Sequence, residues 1–359
     1  MTDQQVLISR QGSLGRLHLN RPKALNSVTL AMIRTLDTGL TRFETDPSIT
    51  SVLITGEGAR GLCAGGDIIA LYKAASDDHD AALNFWAEEY RLNARIARFP
   101  KPYIAFMDGI TMGGGVGVSA HGRFRIVTER TRLAMPETGI GLVPDVGGSW
   151  LLGQNAPGEL GTYIGLTGSL LGAGDAIHAG LADCYMPADR LEQLVTALAA
   201  IPPEADKAAL ADAIAGLSEP APASTLAGQR AAIDDAFAAP TVEDILDALD
   251  RQGTVFATAN RETLSAKSPT ALKMTLMLLR EARHSQTLEQ CLNREFAAVS
   301  HLFCQPDFRE GVRAAVIDKD CNPKWQPDTL AKTAVPDLAG FGDGKARVFA
   351  TNKLEEEAR

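Results

Sequence analysis

The stretch that decides the fold is Ile110-Thr111-Met112-Gly113-Gly114-Gly115-Val116-Gly117, with Ala134-Met135-Pro136-Glu137 and Val143-Pro144-Asp145-Val146-Gly147-Gly148 behind it. A glycine run that opens a short apolar helix (Val116, Val118, Ala120) leaves backbone N–H groups uncovered, and the helix N-terminus adds partial positive charge there. Such an N–H can stabilise a developing oxyanion, although a glycine run also serves as a tight turn or a close-packing point. Glu137 and Asp145 follow on an irregular segment broken by Gly139, Gly141 and Pro144, among Leu133, Met135, Ile140, Leu142 and Val143. Burial and like charge raise at least one pKa of such a pair, which suits acid/base or nucleophilic work; a cap or turn carboxylate is the plainer alternative.

Working outward, Cys63-Ala64-Gly65-Gly66-Asp67-Ile68 follows the apolar strand Ser51–Thr55. Gly66 there offers a second backbone N–H, and two donors converging on one oxygen polarise a carbonyl; Gly-Gly-Asp is equally common turn chemistry. Val6–Ile8 and Leu17–Leu19 alternate about Gly12 as a β-hairpin, and Leu30, Ile33, Leu36 and Leu40 keep helical spacing. Tyr103–Met107 and Phe124–Thr128 read as further strands, so residues 1–150 alternate short strands and helices as stacked βα units. After about residue 185 alanine rises, and 218–224 is a loop or linker. Helices follow: Thr241 caps one carrying Val242, Ile245, Leu246 and Leu249, and Ser268-Pro269 starts another.

The 359 residues are 45% hydrophobic with a net charge of −9, which speaks against a nucleic-acid binder. No run of ~18 apolar residues marks a transmembrane helix. Met1-Thr2-Asp3-Gln4-Gln5 does not open like a signal peptide. Five cysteines, scattered and without CxxC, argue for a reducing compartment and against a zinc site, and the expected location is the cytoplasm. The six histidines show no ligand spacing, so no metal is expected, and His121 reads as structural. Cys63 would be a nucleophile only with a stabilised thiolate. Glu88-Glu89 before Tyr90 reads as a solvated helix face.

Together these residues resemble the crotonase (enoyl-CoA hydratase/isomerase) superfamily over about residues 5–185. Leu19-Asn20-Arg21-Pro22-Lys23-Ala24-Leu25-Asn26 is similar to its first signature, and Cys63–Ile68 and Met112–Gly117 to its two oxyanion-hole segments. The resemblance implies an α/β fold, a crotonase-like spiral of ββα units followed by an α-helical C-terminal region. The expected organisation is a spiral core at 1–190 with the acyl-CoA site, a helical or linker segment at 191–265 and a helical region at 266–359. A hydratase of the superfamily carries two glutamates; at the first of those positions this chain has Gly117, and Asp145 stands where hydratases usually have glycine. Glu137 with Asp145, Ile110–Gly117 and Glu88-Glu89-Tyr90-Arg91-Leu92-Asn93 resemble instead the 3-hydroxyisobutyryl-CoA hydrolase branch, as do 268–273 and 307–325 in the tail.

By that resemblance the expected activity is hydrolysis of a short β-hydroxyacyl-CoA thioester, as in valine breakdown, with enoyl-CoA hydration or isomerisation as the alternative. A non-catalytic RNA-binding relative is a third possibility, against which the acidic balance and the carboxylate pair count. The resemblance assigns the oxyanion donors to Gly66 and Gly114 and the chemistry to Glu137 and Asp145, with Glu89 as a substrate contact. Lys23, Ala24, Leu25, Ala64, Gly66, Asp67 and Ile68 would hold CoA, with Arg21 near its phosphates. No cofactor is implied, since CoA enters with the substrate, and a homo-oligomer is compatible with the resemblance.

Overall fold

In the computed structural model the hairpin read at residues 6–19 is the edge of a six-stranded sheet. The structure describes residues 4–206, 208–334 and 348–350, so Met1-Thr2-Asp3 and much of the expected C-terminal region after Ala334 lie outside the described residues. Among the described residues nine strands occur in chain order: β1 Val6–Gln11, β2 Leu14–Leu19, β3 Ser51–Gly56, β4 Gly61–Cys63, β5 Tyr103–Met107, β6 Ile110–Met112, β7 Phe124–Val127, β8 Arg132–Ala134 and β9 Cys184–Tyr185. The larger sheet runs β1-β2-β3-β5-β7-β9 and the smaller β4-β6-β8. Only β1 and β2 pair antiparallel; every other neighbour is parallel.

This order is the signature of a spiral. Each of β3, β5 and β7 leads directly into a strand of the smaller sheet (β4, β6 and β8), and the next turn moves one place along both sheets. β5 is buried throughout and β3 nearly so, which explains why both read as continuous apolar runs rather than as alternating ones. Leu53, Ile104, Phe106 and Ile126 of the larger sheet pack against Leu194, Val195 and Leu198 of the helix Leu191–Ala199 and against Leu210 and Ile214 of the helix Ala208–Ala215.

The chain divides into two compact units that alternate along the sequence. The first comprises the residues up to Asp67, Leu92–Ala134 and Leu170–Gln229, and contains both sheets. The second comprises Ile68–Arg91, Met135–Ser169 and the residues from Arg230 onward, and its described residues form helices and no strand. Its helices start where side-chain caps dictate. The hydroxyls of Thr241, Thr254 and Ser268 accept from Asp244, Ala257 and Ala271 N–H, and Thr287 forms a capping box with Gln290. Trp86, Phe303 and Phe308 stack in its interior, with ring centroids 5.1 Å apart in each neighbouring pair.

Candidate active site

In the sheet-bearing unit, β4 and β6 lie side by side and each feeds a glycine turn. Gly113 has φ 47° and ψ −119°, and Gly65 has φ 109°, conformations that side chains rarely adopt. Gly115 lies directly on the Cys63 carbonyl: a Cβ there would be 2.3 Å from its oxygen. The two turns therefore touch through backbone, and a Cβ on Gly65 would be 3.8 Å from the Gly114 nitrogen. Val28 N–H donates to Gly65 C=O (2.8 Å) and Asp67 N–H to Val28 C=O (2.9 Å), which leaves the intervening Gly66 N–H out of that pairing. Gly114 N–H is the first of its helix and has no intrahelical acceptor. Among the described residues neither N–H has a protein acceptor.

The expected CoA contacts lie mostly in the same unit. Lys23 and Ala24 form a short 3-10 turn, and Leu25 follows at φ 51°. A cavity of about 200 Å³ opens beside them, lined by Lys23, Leu25, Asn26, Glu57 and Arg60 among others. Ala64 N–H donates to Leu25 C=O (3.0 Å), which ties the turn to the glycine segment. The Arg21 guanidinium is already matched: it donates to Asp67 Oδ2 at 2.7 Å and to the Ser27 hydroxyl at 2.9 Å. Ile68 begins a helix of the other unit.

The helical unit holds the carboxyl groups. Glu89, read at first as a solvated face, is 2% exposed, and Glu137 and Asp145 are each 7% exposed. Glu89 Oε1 and Glu137 Oε2 are buried with no hydrogen-bond partner. Tyr90, fully buried, donates its hydroxyl to Asp145 Oδ2 at 2.8 Å. Burial raises the Glu137 pKa well above the usual carboxylate range. The Asp145 charge adds to this, while a backbone N–H of its own turn and the half-buried Lys267 ammonium oppose it. Glu89 rises too, by burial and then by the charges of Asp145 and Glu137. Burial pushes Asp145 only to about 6, because the Tyr90 hydroxyl stabilises its anion. Burial thus holds all three carboxyls above the ordinary carboxylate range, which suits acid/base work.

A fourth carboxyl escaped sequence reasoning. Glu295 has no exposure, and its two oxygens accept from Gly147 N–H (2.7 Å), Ser149 N–H (2.9 Å) and the Ser149 hydroxyl. Burial raises its pKa to about 7 against those hydrogen bonds. It grips an unusual turn: Gly148 N–H donates to Asp145 C=O at 2.6 Å, across Val146 at φ 53° and Gly147 at φ 80°. Positive φ at both central residues selects Asn or Gly, and a β-branched residue there costs about 1–3 kcal/mol. A signal for Glu295 existed, since it sits on the apolar stripe Leu288, Cys291, Leu292, Val299 of its helix. Lys267 had none beyond preceding Ser268-Pro269. Its Nζ lies 3.3 Å from where a Gly139 Cβ would be and 3.6 Å from a Gly168 Cβ, and the next residue, Ser268, donates its N–H to Thr138 C=O (3.2 Å).

Known proteins match the chain along most of its length. A rat (Rattus norvegicus) protein named mitochondrial 3-hydroxyisobutyryl-CoA hydrolase is 41% identical, over 94% of this chain and 88% of its own. A crystal structure described as a carnitinyl-CoA dehydratase, from Mycobacterium thermoresistibile, superposes with a TM-score of 0.90 at 43% identity, covering 97% and 99% of the two chains. One described as an enoyl-CoA hydratase, from Rhodobacter sphaeroides, gives 0.88 at 38% identity, covering 97% and 100%. The expected cytoplasmic location is corrected by these comparisons, because the hydrolase relatives are mitochondrial enzymes by name. Free, scattered cysteines do not choose among reducing compartments. The family model for enoyl-CoA hydratase/isomerase matches residues 14–341, and with it the chain belongs to that family.

Proposed function

We propose that the protein hydrolyses a short β-hydroxyacyl-CoA thioester, 3-hydroxyisobutyryl-CoA foremost, to the free acid and CoA, as a step of valine breakdown. The observation that carries the reading is the buried carboxyl cluster, Glu137 and Glu89 with an unpartnered oxygen each and Asp145 held by Tyr90, in a chain with Gly117 where a hydratase has its first glutamate. The relatives named as hydrolases over nearly the whole chain support it.

In this mechanism the Gly66 and Gly114 N–H groups take the thioester oxygen and stabilise the tetrahedral oxyanion, and losing one such donor costs roughly 10²–10³ in rate. Glu137 acts at the carbonyl carbon. As nucleophile it forms a mixed anhydride that water then cleaves; as base it takes a proton from the attacking water. In either route the C–S bond breaks and the thiolate leaves as CoA after protonation. Asp145, fixed by the Tyr90 hydroxyl, accepts a hydrogen bond from the substrate's 3-hydroxyl, with Glu89 beside it. Lys23 meets a CoA phosphate. The chemistry calls on no metal or further cofactor.

The test is a paired assay on the purified protein: thiol release from 3-hydroxyisobutyryl-CoA, and loss of enoyl absorbance from crotonyl-CoA. Thiol release lost in Glu137→Gln is the expected result. Hydration without thiol release sinks the reading and favours the second one, hydratase or dehydratase chemistry, which the descriptions of the two solved structures recommend. Sedimentation of the same sample tests the expected self-association.

A further inference from the structure

We propose that Glu295 is a positioning residue for the reaction: its buried carboxylate, by accepting from Gly147 and Ser149, holds the left-handed turn at Val146 and so sets the direction of the Asp145 carboxyl. The proposal rests on the role given above to Asp145.

Three donors converge on the two Glu295 oxygens, all from the residues just after Asp145. The turn they fix carries a valine at φ 53°, a conformation valine leaves unless its surroundings over-determine it. If the turn relaxes, φ at Val146 returns to negative values and the peptide that joins it to Asp145 rotates. The Asp145 carboxyl accepts from the Tyr90 hydroxyl and from its own backbone N–H. The second of these ties the side chain to its own backbone, so its direction is fixed only where that backbone is fixed. Glu295 supplies that constraint on the backbone from a helix that contributes no other carboxyl to the cluster. It has no solvent exposure and is fully occupied by backbone and Ser149, so it does not itself meet substrate.

The test uses Glu295→Gln in the full-length protein. The change keeps size and turns one acceptor oxygen into an NH₂ that faces an N–H donor. Rates are measured on 3-hydroxyisobutyryl-CoA and on isobutyryl-CoA, which lacks the hydroxyl. A displacement of the Asp145 carboxyl by ~1 Å costs about 10²-fold on the hydroxylated thioester. The deoxy substrate, which makes no contact with Asp145, loses much less, so the preference between the two collapses. In Asp145→Asn the same Glu295 change then adds little.

A folded Glu295→Gln protein that keeps the wild-type preference overturns the proposal, as does a loss equal on both substrates or effects that multiply with Asp145→Asn. If Glu295→Gln does not fold, Glu295→Asp decides, because it keeps the carboxylate but withdraws it from the Gly147 and Ser149 donors; an unchanged preference there overturns the proposal. Failure of the functional reading is separate and shows earlier, as a wild-type protein that releases no thiol.

Discussion

Replacing Gly115 by alanine tests the glycine site at its tightest point. The added Cβ would be 2.3 Å from the Cys63 carbonyl oxygen and 3.0 Å from the Cys63 carbonyl carbon. Ordinary contact begins at ~3.4 Å, so the helix Gly114–Gly117 and the end of β4 must separate by about 1 Å. Both partners are backbone, and no rotamer relieves the clash. The two N–H groups proposed as oxyanion donors sit one residue from Gly115 and three residues from Cys63. A relative shift of ~1 Å between them lowers kcat by about 10²-fold, with kcat/KM falling alongside, since the lost interaction belongs to the transition state. Overpacking also removes about 1–3 kcal/mol of stability, visible as a lower melting temperature. Thiol release and thermal melting are measured side by side with Gly172→Ala, where a Cβ meets nothing within 4 Å. The control retains activity and melting temperature. A Gly115→Ala enzyme with wild-type kcat refutes the argument that these two turns are held together for catalysis.

Three further outcomes are expected. Glu137→Gln loses roughly 10²–10⁴ in thiol release while its melting temperature does not fall, because the change removes a buried acid with an unpartnered oxygen; an active or strongly destabilised variant contradicts this. Lys267→Met takes away the positive charge that works against burial at Glu137, among the carboxyls of Asp145, Glu89 and Glu295. The acid limb of its kcat/KM profile therefore moves to higher pH, with more activity lost at pH ~6 than at pH ~8, and an unmoved limb rejects the pairing. Folded Asp145 and Glu295, at about 6 and about 7 against ordinary values of 3.8 and 4.5, hold protons that the unfolded chain has released. Their contribution to stability is complete below pH ~4 and is lost as pH rises through 6 and 7, so melting temperature falls over that window and Glu295→Gln flattens the fall.

The spiral was legible because its turns depend on local rules. Strand β5 runs into β6 and then into a helix that glycine opens, and each step shows in a few adjacent residues. Thr241 and Ser268 start the helices read from them, since a hydroxyl that accepts from the third residue on is a local event. Glu137 and Asp145 stood out as carboxylates in apolar surroundings, and both are buried. What stayed hidden depends on distant chain. Glu89 looks solvated beside Glu88, and only tertiary packing shows that the two point apart, one buried and one not. Glu295 reveals its purpose only once Gly147 and Ser149 are seen on its oxygens. Arg21 reads as a neighbour of the CoA phosphates, and its ion pair with Asp67 at 2.7 Å stays hidden because Asp67 lies in another motif.

The clamp on the Asp145 turn also has a place in time. Glu295 follows Gly147 by 148 residues. At synthesis rates of roughly 5–20 residues per second, the turn exists for about 7–30 s before its acceptor has been made. Until then the N–H groups of Gly147 and Ser149 lack the carboxylate that receives them in the folded protein. A chain released early, before Glu295, carries Glu137 and Asp145 yet cannot set the turn between them and the helix that follows. On the role proposed for Glu295, such a chain holds both carboxyls of the site without the contact that aims one of them.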